Sequence, residues 1–339
     1  MRIEMLDIGR LDELEGPWRR VGEHGDNIFA TYEWSHAWWE SFGRGRRLRV
    51  VGCHDAHGRL TALVPLYEAT RRPVRLLRLV GHGASDELGA VGVARGGPAA
   101  ALQALDGWDL VIFDDLPGDC DSPGRLLGAR PSPVVTLPGD WPAGRSRNFR
   151  HQLGKFQRRL ARLGRLRFGV TDDLAAFRAL HEARWGADSR AFAGRWQFHR
   201  RFAAAARERG WLRVHLLELD DRPVAALYNL RFGGVECVYQ AGRDPALAGA
   251  GLVLHAHAIR AAQEDGLREY RFLRGGEAYK LRFADADRGV RTFACPRGLR
   301  GTTLAHALAG ARALPGPVRR RMPAAIAWGS GAAPVRGGG

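Results

Sequence analysis

The stretch WLRVHLLELDDRPVAALYNLRFGGVECVYQAGRDPALAGAGLVLHAHAIRAAQEDGLREYRFL, from Trp211 to Leu273, decides the fold. It contains three apolar-rich runs of strand length: 211–219, 224–232 and 235–241. Asp220-Asp221 and Gly233-Gly234 separate them, and such pairs close tight hairpins. A Gly/Ala loop, Asp244 to Gly251, then opens a helix predicted over 251–265. Residues 269–273 return as a strand. Two hairpins followed by a helical crossover describe a mixed, mainly antiparallel sheet with a helix on one face.

Working outward, residues 145–164 read as a helix, with Phe149, Leu153, Phe156, Leu160 and Leu163 at three- and four-residue spacing. A short strand is predicted at 166–170. Thr171 and Asp172 are placed to cap a helix carrying Leu174, Phe177, Leu180, His181 and Trp185 on one side. Another helix covers about 195–209. A short helix near 276–284 and a strand near 290–294 close the unit. The first half repeats this order more faintly. Strand 3–8 leads to helices near 11–22 and 32–42, then strands at 48–53, 60–67 and 74–80. A flexible loop at 81–88, a strand at 89–93, a helix at 98–105, a strand at 110–113, a short helix at 123–128 and a strand at 134–137 follow. The prediction is an α+β protein of two tandem units, 1–144 and 145–299, joined by the turn-rich 138–144. Residues 300–339 are expected to be a basic, flexible tail whose apolar-leaning part allows peripheral membrane contact.

At 339 residues and 45% hydrophobic, the chain has ample material for two cores. Net charge is +16, from 52 Lys and Arg against 36 Asp and Glu. Residues 1–150 hold 19 basic and 20 acidic groups, net −1, so residues 151–339 hold 33 and 16, net +17. Lys155 and Lys280 are the two lysines; arginine fills every other basic position. Between Arg145 and Thr171 lie nine basic residues and no acidic one. An anionic partner for the second half and a solvated basic face both account for this placement. Cys53, Cys120, Cys237 and Cys295 form no CxxC pair, which argues against a disulfide framework or zinc knuckle. No apolar run approaches the ~20 residues needed to span a bilayer. With no signal-type segment at Met1-Arg2-Ile3-Glu4, a cytoplasmic protein is expected.

Three segments carry candidate chemistry. Gly249 and Gly251 precede the 251–265 helix, where glycine lets backbone approach a ligand and free N–H groups favour phosphate. The same small residues also suit helix–sheet packing. Neither a P-loop nor a dinucleotide fingerprint is satisfied. In the second segment, Phe272 to Phe283, a strand ends in Gly275-Gly276 and delivers Glu277, Tyr279 and Lys280 together, at the strand end where ligands of α/β sheets sit. A lysine retained in an arginine-biased chain points to a position where guanidinium does not substitute, or is a surface lysine placed by chance. In the third, Gly81 to Glu87, His82, Ser85 and Asp86 offer an imidazole and carboxylates for base or amine-binding work, or form a polar turn. His54/His57 and His255/His257 make no convincing metal site, and no metal is expected.

These residues resemble the GNAT-superfamily acyltransferases of the CelD-like type, which are related to the Fem-type aminoacyltransferases of peptidoglycan synthesis. The resemblance runs over about 28–297. It is carried by Tyr32-Glu33-Trp34-Ser35 with Trp38-Trp39, Val64-Pro65-Leu66, Ser85-Asp86, Arg147 through Gly164, Tyr239 through Pro245 and Leu273 through Lys280. It implies two tandem GNAT-like domains with the active site between or beside them. It also implies acyl transfer from a thioester or aminoacyl ester to an amine. Under it, Asp86, Glu277 and Lys280 are the candidate catalytic groups. Gln240, Gly242, Gly249, Gly251, Leu252 and Tyr279 are the candidate donor-binding residues. Trp34, Trp38, His82, Ser85, Arg147, Arg150, Tyr228 and Tyr239 are the candidate substrate-binding residues. The Gln/Arg-x-x-Gly-x-Gly/Ala pyrophosphate signature of ordinary GNAT enzymes is not intact before residue 251, and the long helical arm of many Fem-type enzymes has no room here.

The expected function is an N-acyltransferase moving an acyl group, foremost acetyl, from acyl-CoA to an amine of a sugar, amino acid or natural-product precursor. One alternative is amino-acid transfer from aminoacyl-tRNA, supported by the basic helix. Another is a non-catalytic binding protein in polysaccharide or envelope assembly. A general nucleic-acid binder ranks last, because no stacking platform of surface aromatics is evident.

Overall fold

A computed structural model describes residues 2–93, 97–186 and 194–313. In chain order the elements are β1 Arg2–Met5, α1 Glu15–Gly22, α2 Tyr32–Phe42, β2 Leu48–His54, β3 Leu60–Thr70, β4 Leu76–Leu79, β5 Val91–Gly92, β6 Leu110–Pro117, β7 Arg125–Arg130, β8 Pro133–Thr136, α3 Arg147–Ala161, β9 Leu166–Thr171, α4 Ala175–Trp185, α5 Trp196–Glu208, β10 Leu212–Leu219, β11 Arg222–Phe232, β12 Val235–Arg243, α6 Ala250–Glu264, β13 Glu269–Arg271, α7 Ala278–Phe283, β14 Ala286–Asp287, β15 Val290–Pro296 and α8 Gly298–Ala313. Two mixed, mostly antiparallel sheets result, each flanked by helices, as the sequence predicts.

The two units are Met1–Arg130 with Gly289–Gly339, and Pro131–Arg288. The first sheet runs β1-β2-β3-β4-β6-β15-β7, with β5 on β3; the second runs β14-β8-β13-β12-β11-β10-β9. This corrects the expected boundaries at 144/145 and 299/300. Strand β8 pairs with β13 and β14, so it is an element of the second sheet. Strand β15 pairs with β6 and β7, so it completes the first. Segment 138–144 is not a connector between sheets. Trp141 is buried there, stacks on Phe283 at 5.9 Å and 5°, and donates its indole N–H to the Phe283 carbonyl at 3.2 Å. The helix expected at 123–128 is strand β7, whose residues find edge hydrogen bonds on β15. The flexible tail expected from 300 begins instead as α8, which buries Ala305 and Leu308 against Leu76, Leu110 and Ile112. The rest of the tail, from residue 314, lies outside the described residues.

Local chemistry explains the second unit closely. Asp220 and Asp221 take φ of 49° and 62°, and Gly233 and Gly234 take 57° and 75°, the paired left-handed geometry that matches hairpin twist. Ser146 caps α3 by accepting from the Phe149 N–H at 3.2 Å. Asp173, one residue beyond the predicted cap, accepts from the Ala175 N–H at 3.0 Å. Helix α3 packs Phe149, Leu153, Phe156 and Leu160 on the core. Leu163 falls past its end and is exposed, as is Trp185 at the last turn of α4. Helix α6 buries Ala250, Ala256, Ala258 and Ala262 beside Val253, Leu254 and Ile259, and these small side chains let it lie close on the sheet.

Each sheet contains one parallel pair, β4 with β6 and β12 with β13; the other ladders are antiparallel. Parallel neighbours require a crossover, and its loop leaves from the carboxyl end of the first strand. The candidate loops 81–88 and 244–249 follow β4 and β12 in this way.

Candidate functional site

In the second unit, β12 and β13 pair through three residues, Val235 with Glu269, Glu236 with Tyr270 and Cys237 with Arg271. Beyond Cys237 the two strands part, since β12 runs on to Arg243 without further pairing to β13. At the same level the β11–β12 register steps from Tyr228–Gln240 to Asn229–Val238, making Tyr239 the extra residue of a bulge. Tyr228 and Tyr239 meet edge to face, with centroids 5.5 Å apart. The Tyr228 hydroxyl is buried and has no hydrogen-bond partner among the described residues; burial first, then Tyr239, raises its pKa well above the ordinary value.

The chain leaving β13 is conformationally forced. Leu273 is buried at φ 60°, a left-handed geometry that costs a non-glycine residue ~1–2 kcal/mol. Gly275 sits at φ 126°, where a Cβ would stand 2.4 Å from the Glu277 carboxylate. This turn delivers Lys280 into a buried position. Its ammonium donates to the Arg274 carbonyl at 3.0 Å and pairs with Glu277 at 3.0 Å. Two of its three N–H donors are thus engaged. Tyr279, beside it, is pushed up to about 12 by burial and by Glu277. Arginines that the sequence reading did not single out gather around these tyrosines. Burial and the neighbouring Arg243 pull Arg184 below its ordinary pKa, with Tyr279 as its counterweight. Burial likewise lowers Arg195, which feels both Tyr239 and Arg274. Arg184 with Arg243 by Tyr279, and Arg195 with Arg274 by Tyr239, thus add positive charge around the tyrosines next to Lys280, a cationic collar in which Glu277 is held on Lys280.

The glycines divide by role. A Cβ on Gly242 would lie 2.6 Å from the His181 backbone N, so this glycine serves the close packing of α4 on β12. Gly249, at φ 89°, faces the Phe156 ring, which a Cβ would approach to 2.4 Å. Gly251 meets nothing closer than Arg243 Cδ at 3.6 Å. It and Leu252, both partly exposed, lie in the first turn of α6, whose N–H groups lack intrahelical acceptors. Gln240 is partly exposed on β12. Arg147 and Arg150 are exposed on α3.

Beneath the opening runs a buried polar network. The Glu236 carboxylate accepts from Asn229 Nδ2 at 2.7 Å and from Arg231 at 3.0 and 2.8 Å, and contacts His215 Nε2 at 2.7 Å. Asn229 also donates to the Tyr270 hydroxyl at 3.2 Å, which lies 3.5 Å from His255 Nδ1. Burial is the largest influence on Glu236 and raises its pKa. His215, Asn229 and Arg231 outweigh it, and the net shift is downward. His255 is pushed down to about 3 by burial, then by Lys280 and His215. The signal in the sequence was a lone polar residue inside each apolar strand, Asn229 in LYNL and Glu236 in VECV.

In the first unit the expected flexible loop is fastened. The Trp34 indole N–H donates to Ser85 Oγ at 2.8 Å, and Ser85 donates to the Gly81 carbonyl at 3.0 Å. Trp38 Nε1 donates to the His82 carbonyl at 3.0 Å. Trp34, Trp38 and Ser85 are buried and hold the loop, while His82 and Asp86 are partly exposed. His82 stands among groups the sequence reading passed over. Its ring contacts the buried Arg78 guanidinium, lies 3.4 Å from the Tyr67 hydroxyl, and is 3.9 Å from Asp114. Among the described residues no group of three or more His, Cys, Asp or Glu could hold a metal ion. No helix there is long and apolar enough to cross a membrane.

The second unit thus presents parallel strands that part at a bulge, with the first turn of α6 following the loop after β12. Residues 147–281 match the family model whose description is acetyltransferase (GNAT) domain. The GNAT relationship seen in the sequence is thereby shown for the second unit. Comparison with curated protein sequences gives no significant match. Among solved structures, FemX shares 12% identity and a TM-score of 0.60, over 91% of this chain and 100% of that one. The L-PGS of Bacillus licheniformis shares 15% identity and a TM-score of 0.53, over 89% and 96%. The C-terminal domain of a putative lysylphosphatidylglycerol synthetase from Agrobacterium fabrum shares 13% identity and a TM-score of 0.53, over 88% and 95%. The fold shared with FemX and these synthetases spans nearly the whole chain.

Proposed function

We propose that this protein is an N-acyltransferase that moves an acyl group, acetyl foremost, from acyl-CoA to the amine of a small acceptor such as a sugar, an amino acid or a natural-product precursor. The observation that carries this reading is the cationic collar around Lys280 at the opening between β12 and β13. A polyanionic donor fits there, with its pyrophosphate against the first turn of α6 and Arg243. Its thioester then lies along the strand opening, by Tyr239 and Tyr228. The acceptor's neutral amine attacks the thioester carbonyl carbon; a C–N bond forms, the carbonyl oxygen takes up the electron pair, and the tetrahedral adduct collapses with loss of thiolate. The ammonium proton of the adduct passes to base or solvent. Lys280, whose third N–H finds no partner among the described residues, is the proposed electrostatic partner of the oxyanion or of donor phosphate. Glu277 steadies it.

A second reading is supported by specific observations. Helix α3 contains no acidic residue, and FemX shares the fold. Aminoacyl-tRNA as donor accounts for both.

Purified protein is to be incubated with an amine panel and either acetyl-CoA or charged tRNA, and free thiol or deacylated tRNA measured. Release of CoA that needs an amine and falls about 10²–10³-fold in Lys280→Ala is the expected result. Turnover with charged tRNA alone would replace the CoA reading with the second one. Full biological activity in folded Lys280→Ala and Asp86→Ala variants would leave a non-catalytic binding protein.

A further inference from the structure

The second unit has a cleft that the donor reading does not use. It lies between α3 and α6, above Phe168 of β9, with a volume of about 180 Å³. That is room for roughly six waters at ~30 Å³ each, or one planar ring. Trp141, Phe149 and Phe168 supply its aromatic walls. Arg145, Arg150 and Arg260 supply its charge, and no Asp or Glu lines it.

Two details argue for a built site. Arg145 spends its terminal nitrogens on the Phe283 and Ala284 carbonyls and on Asp285, while its Nε is buried without a partner among the described residues. These bonds hold the Arg145 guanidinium fixed at the cleft wall. Next, His257 stacks on Phe168 at 4.1 Å and 18°, which fixes both rings at the wall. The field at the mouth is reinforced by α3 itself. Arg147, Arg150, Lys155, Arg158, Arg159 and Arg162 form no ion pair among the described residues, in contrast to Arg165 and Arg167, which pair with Asp221.

We propose that the α3–α6 cleft is a second binding site, for a nucleoside phosphate whose base enters between the aromatic walls and whose phosphates meet Arg150 and Arg260. An apolar wall alone would take any hydrophobe, and an arginine rim alone any anion. The combination selects a flat, polar-edged ring carrying phosphate, and the neutral, planar edges of Gln157 and His257 suit a base. The site stands independently of the donor reading.

The test is calorimetric titration of the full-length protein with ADP and, separately, inorganic pyrophosphate. ADP is expected to bind saturably and at least about tenfold more tightly than pyrophosphate. Each lost charge-assisted bond is worth about tenfold, so Arg150→Glu combined with Arg260→Glu is expected to weaken ADP by at least ~100-fold. Both side chains are exposed, so the fold is kept. Lys280→Ala is expected to leave ADP binding unchanged. Absence of saturable ADP binding, equal affinity for pyrophosphate, or indifference to the charge reversals overturns the proposal. Loss of ADP binding in Lys280→Ala also overturns it, by placing the nucleotide at the strand opening.

Discussion

Gly249→Ala tests whether this glycine serves a ligand or the packing of α3 on α6. The native residue is left-handed, at φ 89°, and a Cβ there would stand 2.4 Å from Cγ and Cδ1 of Phe156 and 2.9 Å from its Cβ. Left-handed backbone costs a side-chain-bearing residue ~1–2 kcal/mol. Forcing a methyl into a filled helix interface adds ~1–3 kcal/mol. The expected loss is therefore about 2–5 kcal/mol, read as a lower urea midpoint with an unchanged slope. Phe156→Ala removes the ring atoms at 2.4 Å but neither the Cβ contact nor the backbone strain. The double variant is expected to be more stable than the sum of the single changes by at least ~1 kcal/mol. Gly251→Ala is the internal control, because its nearest neighbour stands at an ordinary 3.6 Å. A Gly249→Ala loss below ~0.5 kcal/mol, or additivity with Phe156 within ~0.5 kcal/mol, refutes the packing account. Weaker donor binding at unchanged stability returns Gly249 to the ligand.

Glu236→Leu removes the acceptor shared by His215, Asn229 and Arg231. Breaking a buried pair from one side is expected to cost about 3–5 kcal/mol in urea unfolding. His255 supplies a pH signature. Its folded pKa of about 3 lies below that of an unfolded histidine, so the unfolded chain binds its proton first as pH falls. Stability therefore declines from about pH 6.5 toward 3, and His255→Phe is expected to flatten that slope. An unchanged slope between wild type and variant sinks the assignment. Because the depressed Glu236 carboxylate also loses its contribution as pH falls from the ordinary carboxylate range toward its folded pKa, the two effects are read by difference between variants.

Much of the second unit was legible because its signals are local. The paired turns at Asp220-Asp221 and Gly233-Gly234, the Ser146 cap and the 3.6-residue stripe on α3 act within a few residues of one another. The exchange of strands was not legible for the opposite reason. Nothing in Val134-Val135 or in Val290 to Ala294 says which edge each will join, since an apolar strand fits any open ladder. Partners 150 or more residues apart, such as Ser132 with Asp287, settle it. The site divided along the same line. Lys280 and Glu277 stood out as neighbours in sequence, whereas Arg184, Arg195 and Arg243 come from three separate elements and converge only in the fold.

The buried network bears on the same site through electrostatics. Taking Glu236, His215, Asn229 and Tyr270 out of water is costly, and an apolar layer of equal volume would stabilise the sheet at least as well. Their placement gives a reason for keeping them. Asn229 flanks the bulge, and both Glu236 and Tyr270 belong to the short paired stretch from which β12 and β13 diverge. Hydrogen bonds from Asn229 to both Glu236 and Tyr270 tie β11, β12 and β13 together at the point where the ladder stops. A neutral His255 next to this tie adds no like charge to Lys280. The polar residues thus fix where the strands part while adding no positive charge beside Lys280, which suits the anionic donor proposed for this opening.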